Sequence, residues 1–227
     1  MEPIIRTIDL WKEYDQNGGG KAAAVAGANI EINAGQIVAL LGKSGSGKTT
    51  LLNLLAGLDE PSRGRVEIGG KDLQTLGEQG LTSLRRRHIG FVFQFFNLLP
   101  TLTAIENVFL SLELLDVADR SGAYDALGAV GLRGKEARYP SELSGGEQQR
   151  VAIARAIVKR PSIILADEPT GNLDRRTGEE ILDLLRGQCR ASLATLVMAS
   201  HSPLTCKYSD RVLRMEDGMV TEEAPAP

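Results

Sequence analysis

Three groups of residues in this 227-residue chain have types and spacings that could do chemistry. The first is Gly42-Lys43-Ser44-Gly45-Ser46-Gly47-Lys48-Thr49, which fits the phosphate-loop spacing G-x-x-x-x-G-K-[ST]. Glycines at 42, 45 and 47 let the backbone take positive φ and approach a ligand without a Cβ in the way. The bared amides then form a concave nest that favours a polyphosphate. Lys48 would reach the β and γ phosphates of a nucleoside triphosphate as a mobile point charge, and the Thr49 hydroxyl would ligate Mg²⁺. The second group, Asp167-Glu168, ends an apolar run. A strand placed beside the phosphate-loop strand would bring Asp167 near the Mg²⁺, held through water, and let Glu168 accept a proton from an attacking water. The third, Ser144-Gly145-Gly146, is a helix N-cap followed by two glycines that bare the first-turn amides, a second anion site. Alone, the last two read as a solvated turn and a plain capped helix; the phosphate loop in the same chain makes the catalytic reading the better one.

These residues need rigid elements to hold them. Ile37-Val38-Ala39-Leu40-Leu41 is a continuous apolar run that reads as a buried strand, and Thr50 to Gly57 continue a helix that opens at Lys48. Ser162 to Ala166 form a second buried strand, leading to Asp167. Residues 4–10 and 29–32 alternate as strands, with a mobile Gly18-Gly19-Gly20 loop expected between them. Further strands are expected at 65–68, 90–93, 193–199, 211–215 and 219–221. Helices are expected at 75–87, 103–115, 121–130, 146–158 and 175–186, and residues 222–227 read as a frayed tail. The fold expected is α/β: a phosphate-loop core with a mostly parallel sheet, an N-terminal antiparallel β part and an inserted helical subdomain. The boundaries are 1–93 and 160–222 for the core, about 94–159 for the helical part and 223–227 for the tail, all within one domain.

Composition narrows the partners. Hydrophobic residues make up 42% and charged residues 24%, ordinary for a globular protein, and the net charge of −3 gives no electrostatic case for nucleic acid. Cys189 and Cys206 fit neither a metal-ligand spacing nor a disulfide framework, which points to a reducing compartment. No apolar run is long enough to cross a bilayer, so a membrane role would come through a partner.

The order of these motifs resembles the ATP-binding cassette family, whose signature matches Leu143-Ser144-Gly145-Gly146-Glu147. The resemblance runs through nearly the whole chain: the phosphate loop, Gln94, the signature, Asp167-Glu168, Asn172-Leu173-Asp174 and His201. It implies ATP and Mg²⁺ as ligands, bound by residues 42–50 including Thr50. It also implies that Gln94 touches the Mg²⁺ and the attacking water, and that His201 contacts the γ-phosphate. Asp174 would lie in a loop crossing a dimer interface, where Ser144, Gly145 and Gly146 of one chain close over ATP on a second copy. Tyr14 stands where the family stacks an aromatic on adenine, with Trp11 as a nearby competitor. Ser202 follows His201 where the family commonly has an acidic residue, a departure that bears on the positioning of that loop.

Within the family, residues 90–108 and 167–174 look like the branch serving lipoprotein release, macrolide export and cell division. That implies an ATPase powering a separate integral membrane permease, peripheral at the cytoplasmic face of the inner membrane. Phe91 and Phe93 are expected to fill the core, whereas Phe95, Phe96 and Leu98 follow the strand and must be carried by a loop. Residues 95–102 are therefore expected to line a groove for the permease. Two alternatives compete with this reading. A soluble mechanical ATPase of the same fold, acting in DNA repair or on ribosomes, would carry a long coiled coil or a second cassette; a phosphate-loop kinase would leave the signature unexplained.

Overall fold

A computed structural model describes residues 2–16 and 19–223 of the chain. They fall into two compact units, Met1–Arg85 with Val197–Pro227, and Arg86–Leu196.

The first unit holds an antiparallel sheet of order β2-β1-β4-β5, formed by β1 (Ile5–Gln16), β2 (Gly20–Ile32), β4 (Arg63–Ile68) and β5 (Lys71–Asp72). Here the structure corrects the expectation for the segment between the first two strands. Gly18 of the expected loop lies outside the described residues, but Gly20 opens a thirteen-residue strand rather than closing a loop. The stretch Ala22-Ala23-Ala24 lacks apolar–polar alternation, and glycine backbone approaches the carbonyls of Ala23 and Ala24. A Cβ at Gly47 would lie 1.9 Å from the Ala24 carbonyl oxygen, and one at Gly218 3.2 Å from that of Ala23. In the same unit, β3 (Ile37–Leu41) is parallel to β9 (Arg211–Glu216), which is antiparallel to β10 (Met219–Glu223). All five residues of β3 are buried, as its unbroken apolar run requires. Glu222 and Glu223 belong to β10, not to a frayed tail; residues 224–227 of the expected tail lie outside the described part. Helix α1 (Lys48–Leu55) follows β3 across the phosphate loop, and α2 is Gly77–His88.

The second unit contains β6 (Ile89–Val92) parallel to β7 (Ile163–Asp167), with helices α3 (Ala104–Glu113), α4 (Ser121–Ala129), α5 (Gly145–Ile157) and α6 (Arg175–Ser192). Helix α5 touches α3, α4, α6 and β6. Val151, Ala152, Ile153, Ala154 and Ala156 are buried, so α5 is covered on more than one face. Its small residues allow close approach: a Cβ on Gly90 of β6 would lie 2.6 Å from the Ala156 carbonyl oxygen. Helix α6 runs past its expected end at 186, because Leu185 and Cys189 continue the buried stripe begun by Ile181 and Leu182. Strand β8 (Thr195–Ser200) begins in this unit and ends in the first. An antiparallel sheet and a mostly parallel one, with helices, make this the mixed α/β fold expected.

Candidate functional site

In the first unit, the phosphate loop is shaped by close backbone approach. A Cβ at Gly42 would lie 2.4 Å from the Met215 carbonyl oxygen and 2.5 Å from Ser46 Oγ. Gly45 and Gly47 have φ of 78° and 105°, conformations that L side chains rarely adopt. The Gly218 amide donates to the Ser46 carbonyl (3.2 Å), which ties the β9–β10 turn to the loop. Lys48 is only 6% exposed, and its ammonium donates to the Gly42 and Lys43 carbonyls at 2.9 and 3.0 Å. It therefore lies back across the loop it follows, while Lys43, Ser44, Gly45 and Thr49 are exposed. Ser46 Oγ is buried without a hydrogen-bond partner among the described residues. Leaving such a group unsatisfied costs about 1–3 kcal/mol, and an incoming phosphate oxygen is an acceptor its hydroxyl can use. A glycine cradle, a folded-back ammonium, an unsatisfied hydroxyl and a helix N-terminus at Lys48 together fit a polyphosphate.

Tyr14 and His201 belong to the same unit. The Tyr14 ring is 45% exposed, with the Lys12 ammonium 5.1 Å from its centroid. Its hydroxyl donates to Asp59 (2.8 Å) and is hydrogen-bonded to Thr50 of α1. Burial and the bond to Asp59 raise the Tyr14 pKa. Burial works against the Asp59 carboxylate, but the bonds from Lys12 and Tyr14 outweigh it and hold its pKa low. Trp11, the competing aromatic, is engaged elsewhere: Arg63 lies 4.5 Å over its ring, and its indole N–H donates to Asp9 (2.8 Å). His201 is exposed and follows Ser200, whose carbonyl accepts from the Gly42 amide (3.2 Å), so backbone bonding fixes its neighbour against the first glycine of the loop. Ser202 caps the following 3-10 turn, accepting from the Leu204 amide (3.3 Å).

The second unit gathers Gln94, Ser144, Gly145, Gly146, Asp167, Glu168 and Asp174. Asp167, 8% exposed, ends the buried strand β7. Glu168 follows with φ of 45°, a left-handed conformation unusual outside glycine. Its carbonyl accepts from the Gly171 amide (3.0 Å), closing a tight turn. Asn172 Nδ2 donates to the Gln94 carbonyl (2.9 Å), and a Cβ on Gly171 would lie 3.3 Å from Gln94 Nε2. The turn that carries Glu168 is thus fastened to the segment that carries Gln94. Ser144 caps α5 in a reciprocal capping box: Glu147 N donates to Ser144 Oγ (3.3 Å), and Ser144 N donates to Glu147 (2.9 Å). Lys135 pairs with the same glutamate. Asp174 caps α6, accepting from the Thr177 amide (3.1 Å) and hydroxyl (2.6 Å).

The phenylalanine cluster departs from expectation in one respect. Phe91 and Phe93 stack with ring centroids 4.3 Å apart, but both are half-buried rather than core residues, and Phe93 lies past the end of β6. Residues 95–102 lie in a loop, as expected, and the loop runs on through Thr103, which caps α3 rather than opening it. Phe95 is 71% exposed and Leu99 44%, whereas Phe96 and Leu98 are half-buried. Two side chains that sequence reasoning passes over pin this loop. Buried Asn107 donates to the carbonyls of Leu99, Leu102 and Thr103 at 3.0–3.1 Å and accepts from the Leu99 amide (2.8 Å). Arg155 of α5 donates to the carbonyls of Phe96 (2.8 Å) and Asn97.

The chain also resembles known proteins over nearly its whole length. The family model described as ABC transporter matches residues 25–171. A lipoprotein-releasing system ATP-binding protein LolD of Chromohalobacter salexigens is 47% identical over 98% of this chain and 95% of its own length. The macrolide export ATP-binding/permease protein MacB of Rhodopirellula baltica is 45% identical over 97% of this chain, which spans 33% of that protein. A solved ATP-binding cassette, a dimer in a post-hydrolysis state bound to ADP and Pi, superposes with a TM-score of 0.89 at 38% identity. That match covers 98% of this chain and 99% of the other. The chain belongs to the ABC transporter family, as an ATP-binding cassette.

Proposed function

We propose that the whole chain is one nucleotide-binding domain that hydrolyses ATP to ADP and phosphate and thereby powers a separate membrane permease of the lipoprotein-release or macrolide-export type. The observation that carries this reading is the phosphate loop, with its glycine cradle, buried Ser46 hydroxyl and folded-back Lys48. Residues 42–50 bind the phosphates, Lys48 supplying charge to the β and γ groups, and Tyr14 stacks on the base. Thr49, Gln94 and Asp167 would hold Mg²⁺, which would supply positive charge to the phosphate oxygens. Glu168 polarises the attacking water, and Gln94 and His201 orient the water and the γ-phosphate.

In this reading the chain works as an ATP-dependent homodimer, the signature residues Ser144, Gly145 and Gly146 and the Asp174 loop of each copy meeting ATP on the other. The dimeric state of the solved cassette supports it. Among the described residues no helix is long and apolar enough to cross a membrane. The reading assigns the crossing to the permease and places this chain peripherally, at the cytoplasmic face of the inner membrane. The relatives named above are transporter proteins, so a mechanical ATPase without a permease is not favoured.

Gel filtration of Glu168→Gln tests the assembly. With Mg-ATP it should run as a dimer, and adding Ser144→Arg should return it to monomer. A double variant that still dimerises with ATP would remove Ser144 from the interface.

A further inference from the structure

Gln149 lies in α5, five residues after Ser144, and is completely buried. Its Nε2 donates to the carbonyl of Pro169 at 2.7 Å. A carbonyl can only accept, so this contact fixes which end of the amide faces the turn. The other end, Oε1, is buried with no partner among the described residues. Apolar side chains fill the rest of the buried part of α5, and one of them would fill this position without leaving an unsatisfied oxygen. What the amide adds is one hydrogen bond to the residue directly after Glu168. That residue is a proline, with no N–H to secure itself, and the glutamate before it sits at φ of 45°. A non-glycine residue there persists only when its surroundings hold it.

We infer that Gln149 is a positioning residue: through the Pro169 carbonyl it holds Glu168 in its left-handed conformation and passes the position of the signature helix to the Glu168 carboxylate. The inference rests on the proposed role of Glu168 in hydrolysis. The helix is suited to the task, because the Ser144–Glu147 box closes its first turn and Arg150 ties it to the Val130 carbonyl (3.0 Å) and to Glu180 of α6 (3.2 Å). A shift at Ser144 therefore moves Gln149 with it, and Gln149 is bonded one residue from Glu168.

Two substitutions test this in the full chain. Gln149→Met keeps the volume and removes the donor; Gln149→Glu removes the donor while ionised and restores one when protonated. Gln149→Met should lower kcat for ATP hydrolysis about tenfold or more with KM and ATP affinity within threefold. In a Glu168→Gln background it should cause no further loss, because the group it positions has already gone. For Gln149→Glu, kcat relative to the parent should recover as pH falls from 8 to 6. Parent-like kcat in Gln149→Met, or a full additional loss in the Glu168→Gln background, would overturn the inference. Should Gln149→Met fail to fold, a flat relative pH profile for Gln149→Glu would overturn it equally. If Glu168→Gln itself leaves hydrolysis intact, it is the reading of Glu168 that has failed, a result distinct from any given by Gln149.

Discussion

Thr177 leaves no room for a side chain at Gly146: a Cβ there would lie 2.6 Å from the Thr177 methyl. The methyl cannot rotate away freely, because the hydroxyl on the same Cβ is bonded to Asp174 at 2.6 Å. The first turn of α5 and the first turn of α6 are therefore fitted to each other. Gly146→Ala should force them apart, lowering ATP-dependent dimerisation and hydrolysis by about tenfold or more. Thr177→Ser keeps the hydroxyl and deletes the methyl, so Gly146→Ala with Thr177→Ser should recover most of the loss. No recovery in the double variant would show that Gly146 matters for a reason other than this contact.

Acid should loosen the second unit through its capping carboxylates. The Lys135 side chain and then the Ser144 amide hold the Glu147 pKa low, and the Thr103 hydroxyl and amide do the same for Glu106. The Thr177 hydroxyl and amide likewise lower Asp174. Each folded-state pKa lies below the unfolded one, so the stability they contribute is fully present above the unfolded values, about 4, and is lost as pH falls through the folded ones. Tm should stay level from pH 7 to about pH 5 and drop below that. Glu147→Gln should melt lower than the parent at pH 7 and converge with it in acid. A gap that persists at pH 3 would mean that the charge on Glu147 is not the cause.

The loop of residues 95–103 presents Phe95 and Leu99 to solvent on a backbone pinned by Asn107 and Arg155. Phe95→Ala and Leu99→Ala should leave Tm and basal hydrolysis unmoved while reducing co-purification with the permease. A large loss of Tm, on the scale of the 3–5 kcal/mol roughly expected for deleting a core aromatic, would mean that these side chains are structural and sink the docking reading.

How much of this is legible in the sequence varies by element. The strand β3, the phosphate loop and α1 can be read directly, because an unbroken apolar run, three glycines and a helix start each have a local cause. The Ser144 cap is legible for the same reason. Strand β2 is not. Its alanines make no period-two pattern, and the approach of Gly47 and Gly218 to the Ala24 and Ala23 carbonyls is a tertiary condition with no trace in local spacing. The end of α6 is hidden because Gly187 reads as a stop, although nothing lies within 4 Å of a Cβ there and the buried stripe carries the helix on. Gln149 has no sequence signal at all: its importance depends on Pro169, twenty residues away in the chain, which only the folded structure brings to the helix.

In the proposed mechanism Glu168 drives hydrolysis of ATP held by the phosphate loop. Its most direct test is phosphate release by Glu168→Gln beside the parent chain, with nucleotide binding measured on both. ATP binding should be unchanged and turnover lower by about 10²–10⁴-fold, the usual general-base contribution, or roughly 3–5 kcal/mol of barrier. Turnover within threefold of the parent would contradict it.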